Sequence, residues 1–324
     1  MMRKDRKEPW GAYSSLPAAD RRWKKKPVPH EEELELKRLT DALQAPDDTY
    51  AWPPVLPETD KRGVDQVGHG YKPYHKAAKS KVGTAGNMFL FKAQGMSPFH
   101  SHVEQKLLLY LEQLPRVRAI RPQYAYWDAK KLQQYSAEGK RFPKSFVRTF
   151  DIAVTVDRPG STELEEILFS AKSSAKLESD ENGSIEARHE RDQAAADLLE
   201  CDFRVFTERA VPKLTHLNNA RIAMYMCRVE IDEIEKLSPD AERFANALKA
   251  TKAKGSLKRV ITMVAKRPAF GWTVLEGLRH FAVAHVRGYL RWDHNSRLRH
   301  DLPMVLVGDE SHVRNKAAAK KGKA

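Results

Sequence analysis

Between residues 98 and 207 the apolar residues change their period repeatedly, and that succession constrains the fold more than any other feature of the chain. Val103, Leu107, Leu108, Tyr110, Leu111 and Leu114 recur at helical spacing and Pro115 stops them, which predicts a helix over 98–114. Strands are expected over 117–127, 146–156 and 166–172, the last two joined by a loop containing Pro159-Gly160-Ser161. A helix over 186–199 and a short strand over 204–207 close the block. The order α-β-β-β-α-β predicts a mixed-sheet α/β domain.

The flanks read differently. Residues 1–85 form a basic, largely irregular arm, with the Pro-rich run Trp52-Pro53-Pro54-Val55-Leu56-Pro57, the Gly68-His69-Gly70 spacing and one short helix expected over 31–43. The central domain is bounded at 86–213. From 214 to 310 helices are expected over 217–227, around 241–250, over 256–266 and over 274–286. Two short strands, 288–293 and 302–307, follow them. Helices followed by a hairpin predict an α-rich winged helix-turn-helix domain. A basic tail occupies 311–324.

The net charge is +14, and its distribution matters more than its size. Residues 61–100 carry seven Lys/Arg against one acid, and 251–300 carry eleven against two, whereas 101–215 carry eighteen against nineteen. Basic flanks with Tyr71, Tyr74, Phe89 and Phe91 interleaved are what a phosphate backbone attracts, so double-stranded DNA is the expected partner. No apolar run is long enough to span a membrane, and no secretory leader follows Met1. Cys201 and Cys227 lack metal-binding spacing and are expected to be reduced thiols of a cytoplasmic protein.

Chemistry concentrates on three elements. On the strand Thr149-Phe150-Asp151-Ile152-Ala153-Val154-Thr155-Val156, the alternation puts Phe150, Ile152, Val154 and Val156 on one face and Asp151 on the other. A hairpin centred on Ser161/Thr162 would set Asp151 opposite Lys172. Glu104 stands in line with Leu108 and Leu111, at the edge of the face that packs on the sheet. Phosphodiester hydrolysis needs a hard cation held by oxygen ligands and a nearby positive charge for the phosphate. Glu104, Asp151 and Lys172 supply that set as catalytic residues. Glu104, Asp151 and the Ala171 backbone carbonyl are the expected ligands of Mg2+, with Mn2+ able to substitute and Ser170 acting through a water. Singly, each residue reads better as an ordinary salt bridge or helix-end acid; their order on these elements favours the chemical reading. His100 and His102 read as capping or DNA contacts. His189, Glu190 and Asp192 read as a solvated helix face, from which Arg188 and Arg191 could reach phosphates.

Asp151 followed by Ser170-Ala171-Lys172, with Glu104 on the preceding helix, resembles the PD-(D/E)xK pattern of restriction-endonuclease-like folds. The stretches Ser101-His102-Val103-Glu104, Leu109-Tyr110-Leu111-Glu112, Thr149-Phe150-Asp151, Ala171-Lys172 and Val205-Phe206-Thr207-Glu208 are similar to TnsA-like endonuclease subunits of heteromeric transposases. The similarity spans about residues 85–215 and extends more loosely beyond. It implies a nuclease that cuts the 5′ strands at transposon ends, in a bacterial cytoplasm and on the nucleoid when assembled. It also implies two partners, a DDE-type transposase and an AAA+ regulator. Ser170 departs from the Glu or Gln usual at its position, which shifts metal binding onto the two carboxylates. A stand-alone restriction or repair nuclease, and a non-catalytic DNA-binding adaptor on the same scaffold, are the alternative expectations.

Overall fold

The computed structural model describes residues 36–39, 43, 56, 59–60, 71–77, 84–157, 163–227, 229–251 and 253–306. The Pro-rich run apart from Leu56, the Gly68–Gly70 spacing, the turn at Ser161/Thr162 and the basic tail lie outside those residues.

Two short strands, β1 (Gly86–Leu90) and β2 (Gly95–Phe99), form an antiparallel hairpin. Pro98 therefore belongs to β2, and α1 (His102–Gln113) begins later than its apolar pattern alone predicts. The reason is local: Ser101 caps the helix by accepting from the Glu104 N–H. β3 (Val117–Tyr126), α2 (Ala129–Ala137), β4 (Arg148–Asp157), β5 (Leu164–Ala171), α3 (Ser174–Glu178), α4 (Ser184–Leu198) and β6 (Asp202–Phe206) follow. The sheet runs in the order β3-β4-β5-β6; the first two pairings are antiparallel and β5-β6 is parallel. A parallel neighbour requires a crossover, which α3 and α4 provide. The expected mixed α/β architecture is present.

One core lies between α1 and the sheet, with Leu107, Leu111, Ile120, Ile152, Val154 and Phe169. Leu36 and Leu43, both helical, are buried in it. Another joins Ala195 and Ala196 of α4 to Tyr124, Phe150, Leu168 and Phe203, with Tyr71 packed in and its hydroxyl donating to the Pro122 carbonyl. The described pieces of the arm thus belong to the packed structure. Two buried ion pairs cross the sheet, Arg118 with Asp157 at 2.8 Å and Arg121 with Glu166 at 2.9 Å.

The C-terminal part contains α5 (Lys213–Tyr225), α6 (Ile231–Ala250), α7 (Leu257–Ala265) and α8 (Val274–Val286) around its own core of Phe244, Ile261, Phe281 and Trp292. Gly277 lets α8 pack tightly on α7, because a Cβ there would stand 2.9 Å from Ile261. Among the described residues the two segments expected as strands after α8 meet through one bridge and form no longer ladder. Isolated antiparallel bridges join Trp292 to Leu306 and Ser256 to Pro303. Carbonyls of His300 and Leu302 accept from the Lys258 and Leu257 N–H groups at the start of α7, so this segment caps a helix instead of extending a sheet. α1 contacts both α5 and α8. Among the described residues no helix is long and apolar enough to cross a membrane, and both cysteines are free, Cys201 buried and Cys227 exposed.

Candidate active site

Each residue of the proposed triad is brought to its place by a different element. Asp151 lies near the start of central strand β4. Its Oδ2 accepts from the Ala171 N–H at 2.7 Å and from Lys172 Nζ at 3.0 Å. Lys172 Nζ also donates to the Ala171 carbonyl at 3.1 Å. The β4–β5 register pairs Ile152 with Phe169, so continuing it sets Asp151 across from Ser170, two residues from the expected partner Lys172. A shift of two preserves the face, and the long lysine side chain still spans the diagonal.

The expected alternation also breaks at this point. Ile152, Val154 and Val156 join the core under α1, but Phe150 joins the core under α4. Gln123, which the β3–β4 register sets beside Asp151, has a left-handed φ of 53°. That kink redirects β3, and the Gln123 side chain reaches α1.

Glu104 is 6% exposed although it stands in the first turn of its helix. Its Oε2 accepts from Gln123 Nε2 at 3.0 Å and from the His100 N–H at 2.9 Å, and Ser101 Oγ contacts Oε1 at 3.1 Å. Burial raises its carboxyl to about 7, and the charge of Asp151 pushes the same way. Asp151 is therefore close enough to disfavour the ionisation of Glu104.

Ser170 is buried, and its Oγ has no hydrogen-bond partner among the described residues. Asp192 corrects the reading of α4 as a solvated face: it is 5% exposed and pairs with Arg188 at 3.5 Å. Burial raises its carboxyl; Arg188 opposes that rise and the charge of Asp151 adds to it. Burial lowers the neighbouring His189, helped by the positive charge of Lys172. α4 thus delivers two titratable groups to the rim of the site. Neither they nor Gln123 was legible as functional, because only packing distinguishes the inner side of a charged helix or a kinked strand residue.

The donor set suits a hard divalent cation. Both hydrogen bonds to Asp151 fall on Oδ2, and Lys172 Nζ bridges Asp151 Oδ2 and the Ala171 carbonyl, two of the three atoms that would bind the ion. Among the described residues no group of three or more His, Cys, Asp or Glu side chains could hold a metal. Two carboxylates and a carbonyl would leave the remaining positions to water and substrate oxygens, as magnesium prefers.

Glu104 makes the site pH-dependent. A carboxyl raised from 4.5 to about 7 by folding binds its proton more tightly in the folded state. Its contribution to stability is thus full below about pH 4.5 and is lost as pH rises through 7. In chelator, Glu104→Gln is expected to stabilise the protein at pH 8 by on the order of 2 kcal/mol and to change it little at pH 4.5. Urea unfolding at both pH values checks this, and equal effects at the two would contradict it. Divalent-ion affinity of the unsubstituted chain should rise from pH 5.5 to 7.5 as the ion displaces that proton.

A mixed-sheet α/β domain with carboxylates and a lysine gathered at the kink between β3 and β4 is the class these features define. No family model and no curated protein matches the chain.

Proposed function

We propose that this chain is a magnesium-dependent DNA endonuclease, with a restriction-endonuclease-like domain followed by a winged helix, working as the 5′-strand-cutting subunit of a heteromeric transposase. The observation that carries the reading is the contact of Lys172, just past the end of β5, with Asp151 and the Ala171 carbonyl, beside a Glu104 carboxyl that feels the charges of both Asp151 and Lys172. Magnesium, when bound, acidifies an attacking water and neutralises phosphate charge. Glu104 and Asp151 would hold it, and Gln123 and the His100 N–H fix the Glu104 carboxylate. Lys172, whose ammonium already bridges Asp151 and Ala171, donates to the phosphate oxygen that gains charge. The resemblance to transposase subunits supplies the partners: a DDE-type transposase that recognises the ends and an AAA+ regulator, with the C-terminal helical domain as docking element.

Incubation with a transposon-end duplex tests this. Mg2+ or Mn2+ is expected to support cleavage of the 5′ strand only when the transposase is added, and Ca2+ to support binding without efficient cleavage. Cutting that persists in excess chelator would remove the metal from the mechanism. Efficient sequence-specific cutting by the chain alone would favour a stand-alone nuclease. The hydroxyl of Ser170, a weaker ligand than a carboxylate, favours the adaptor reading, in which tight DNA binding would accompany no cleavage under any of these conditions.

A further inference from the structure

The central block is nearly neutral as a whole, but its charges are segregated. Residues 127–148, the connection from β3 to β4 with the first residue of β4, hold six Lys/Arg and two acids, Asp128 and Glu138; the rest of 101–215 then has twelve basic residues and seventeen acidic ones. This connection is built, not slack. Asp128 caps α2 by accepting from the Lys130 and Lys131 N–H groups. Tyr135, Phe142 and Phe146 stack edge-on against one another, with centroids 5.7–5.9 Å apart, and Lys131 Nζ lies 5.5 Å from the Phe146 ring centre. No residue of α2 is buried, and Phe146 is 40% exposed. The aromatic cluster therefore stiffens a projection that serves no core.

Between this projection and α4 runs a groove of about 320 Å3, lined by Lys131, Arg148 and Arg191 with Tyr126, Phe146 and Leu198; the capping Asp128 also borders it. Arg148 stands three residues before Asp151 on β4, about 10 Å along a strand. That distance corresponds to about three base-pair rises of duplex.

We propose that the β3–β4 projection and Arg191 grip the phosphate backbone of duplex DNA about three base pairs from the scissile phosphate, holding the strand in register with Asp151. The inference rests on the endonuclease reading and assigns a substrate-positioning surface to it. Lys131, seated over the Phe146 ring, and the exposed Arg148 and Arg191 line one groove together, and several cations along one groove suit a phosphate backbone.

The test is binding of a 30-base-pair duplex in Ca2+ by the full chain carrying Lys131→Ala, Arg148→Ala and Arg191→Ala together. All three side chains are exposed, so the thermal midpoint should stay within about 1 °C. Affinity at 150 mM salt is expected to fall at least tenfold. The slope of log affinity against log salt should flatten by roughly 2 to 3, about 0.9 for each phosphate contact removed. Phe146→Ala, which removes the support under Lys131, should weaken binding with a smaller change in slope. Unchanged affinity and slope in the triple variant, with the parent chain binding and cutting normally, would overturn this inference and leave the nuclease reading standing. So would a triple variant that binds duplex normally but loses an acidic protein partner. A parent chain with no affinity for duplex would instead overturn the nuclease reading.

Discussion

Asp151→Ala is expected to reduce cleavage by on the order of a thousandfold or more, with duplex affinity in Ca2+ unchanged or higher. The carboxylate does two jobs that the substitution separates poorly: it holds the cation, and its Oδ2 accepts from the Ala171 N–H and from Lys172. Alanine removes both and leaves a partly buried N–H without its acceptor. Asp151→Asn resolves the ambiguity, because its amide oxygen keeps an acceptor for Ala171 while the anionic ligand is lost. Both variants should be inactive and only alanine should lower the unfolding midpoint. Lys172→Ala should cost about 100- to 1,000-fold and leave metal affinity intact or improved, since the ammonium contacts two of the proposed ligand atoms. Wild-type cutting by Asp151→Asn would take this carboxylate out of the chemistry.

Glu166→Ala is expected to cost about 3–5 kcal/mol of stability, the usual effect of removing one partner from a buried ion pair. The Arg121 guanidinium is fully buried, and Glu166 lies 2.9 Å away on β5. Nε and Nη1 of Arg121 have no hydrogen-bond partner among the described residues, so besides the carboxylate the charge leans on the Tyr124 ring, whose centre is 5.4 Å away. The same arithmetic predicts recovery. Arg121→Met with Glu166→Leu should regain most of the loss, because neither desolvated charge remains. Urea unfolding of the three variants checks this. A loss below about 1 kcal/mol in Glu166→Ala would mean that water replaces the carboxylate within the sheet. This pair lies between β3 and β5 across central strand β4, so its loss should also loosen the frame that carries Asp151.

The elements that could be read from the residue order are those that bury a periodic face. α1, β3, β4, β5 and β6 each follow an apolar pattern of the right period, and with α4, which has no such stripe, they are found in the expected order. Period and spacing likewise set the expected places of Glu104 on a helix edge, Asp151 on a strand and Lys172 at the end of the next. The β1–β2 hairpin escaped notice because its strands have five residues each and include glycine and proline. α2 escaped because it has nine residues and buries none of them.

Tertiary structure alone decided the remaining features of the site. The two-residue offset in the β4–β5 register depends on turn geometry, which apolar alternation does not encode beyond parity. The left-handed Gln123, the burial of Asp192 and the raised carboxyl of Glu104 arise where α1, α4 and the sheet end converge. Desolvation and the field of neighbouring charges are sums over groups far apart in the chain. The sequence by itself therefore determined which chemical groups are available and on which elements they ride; packing decided how close they come and in which protonation state they wait.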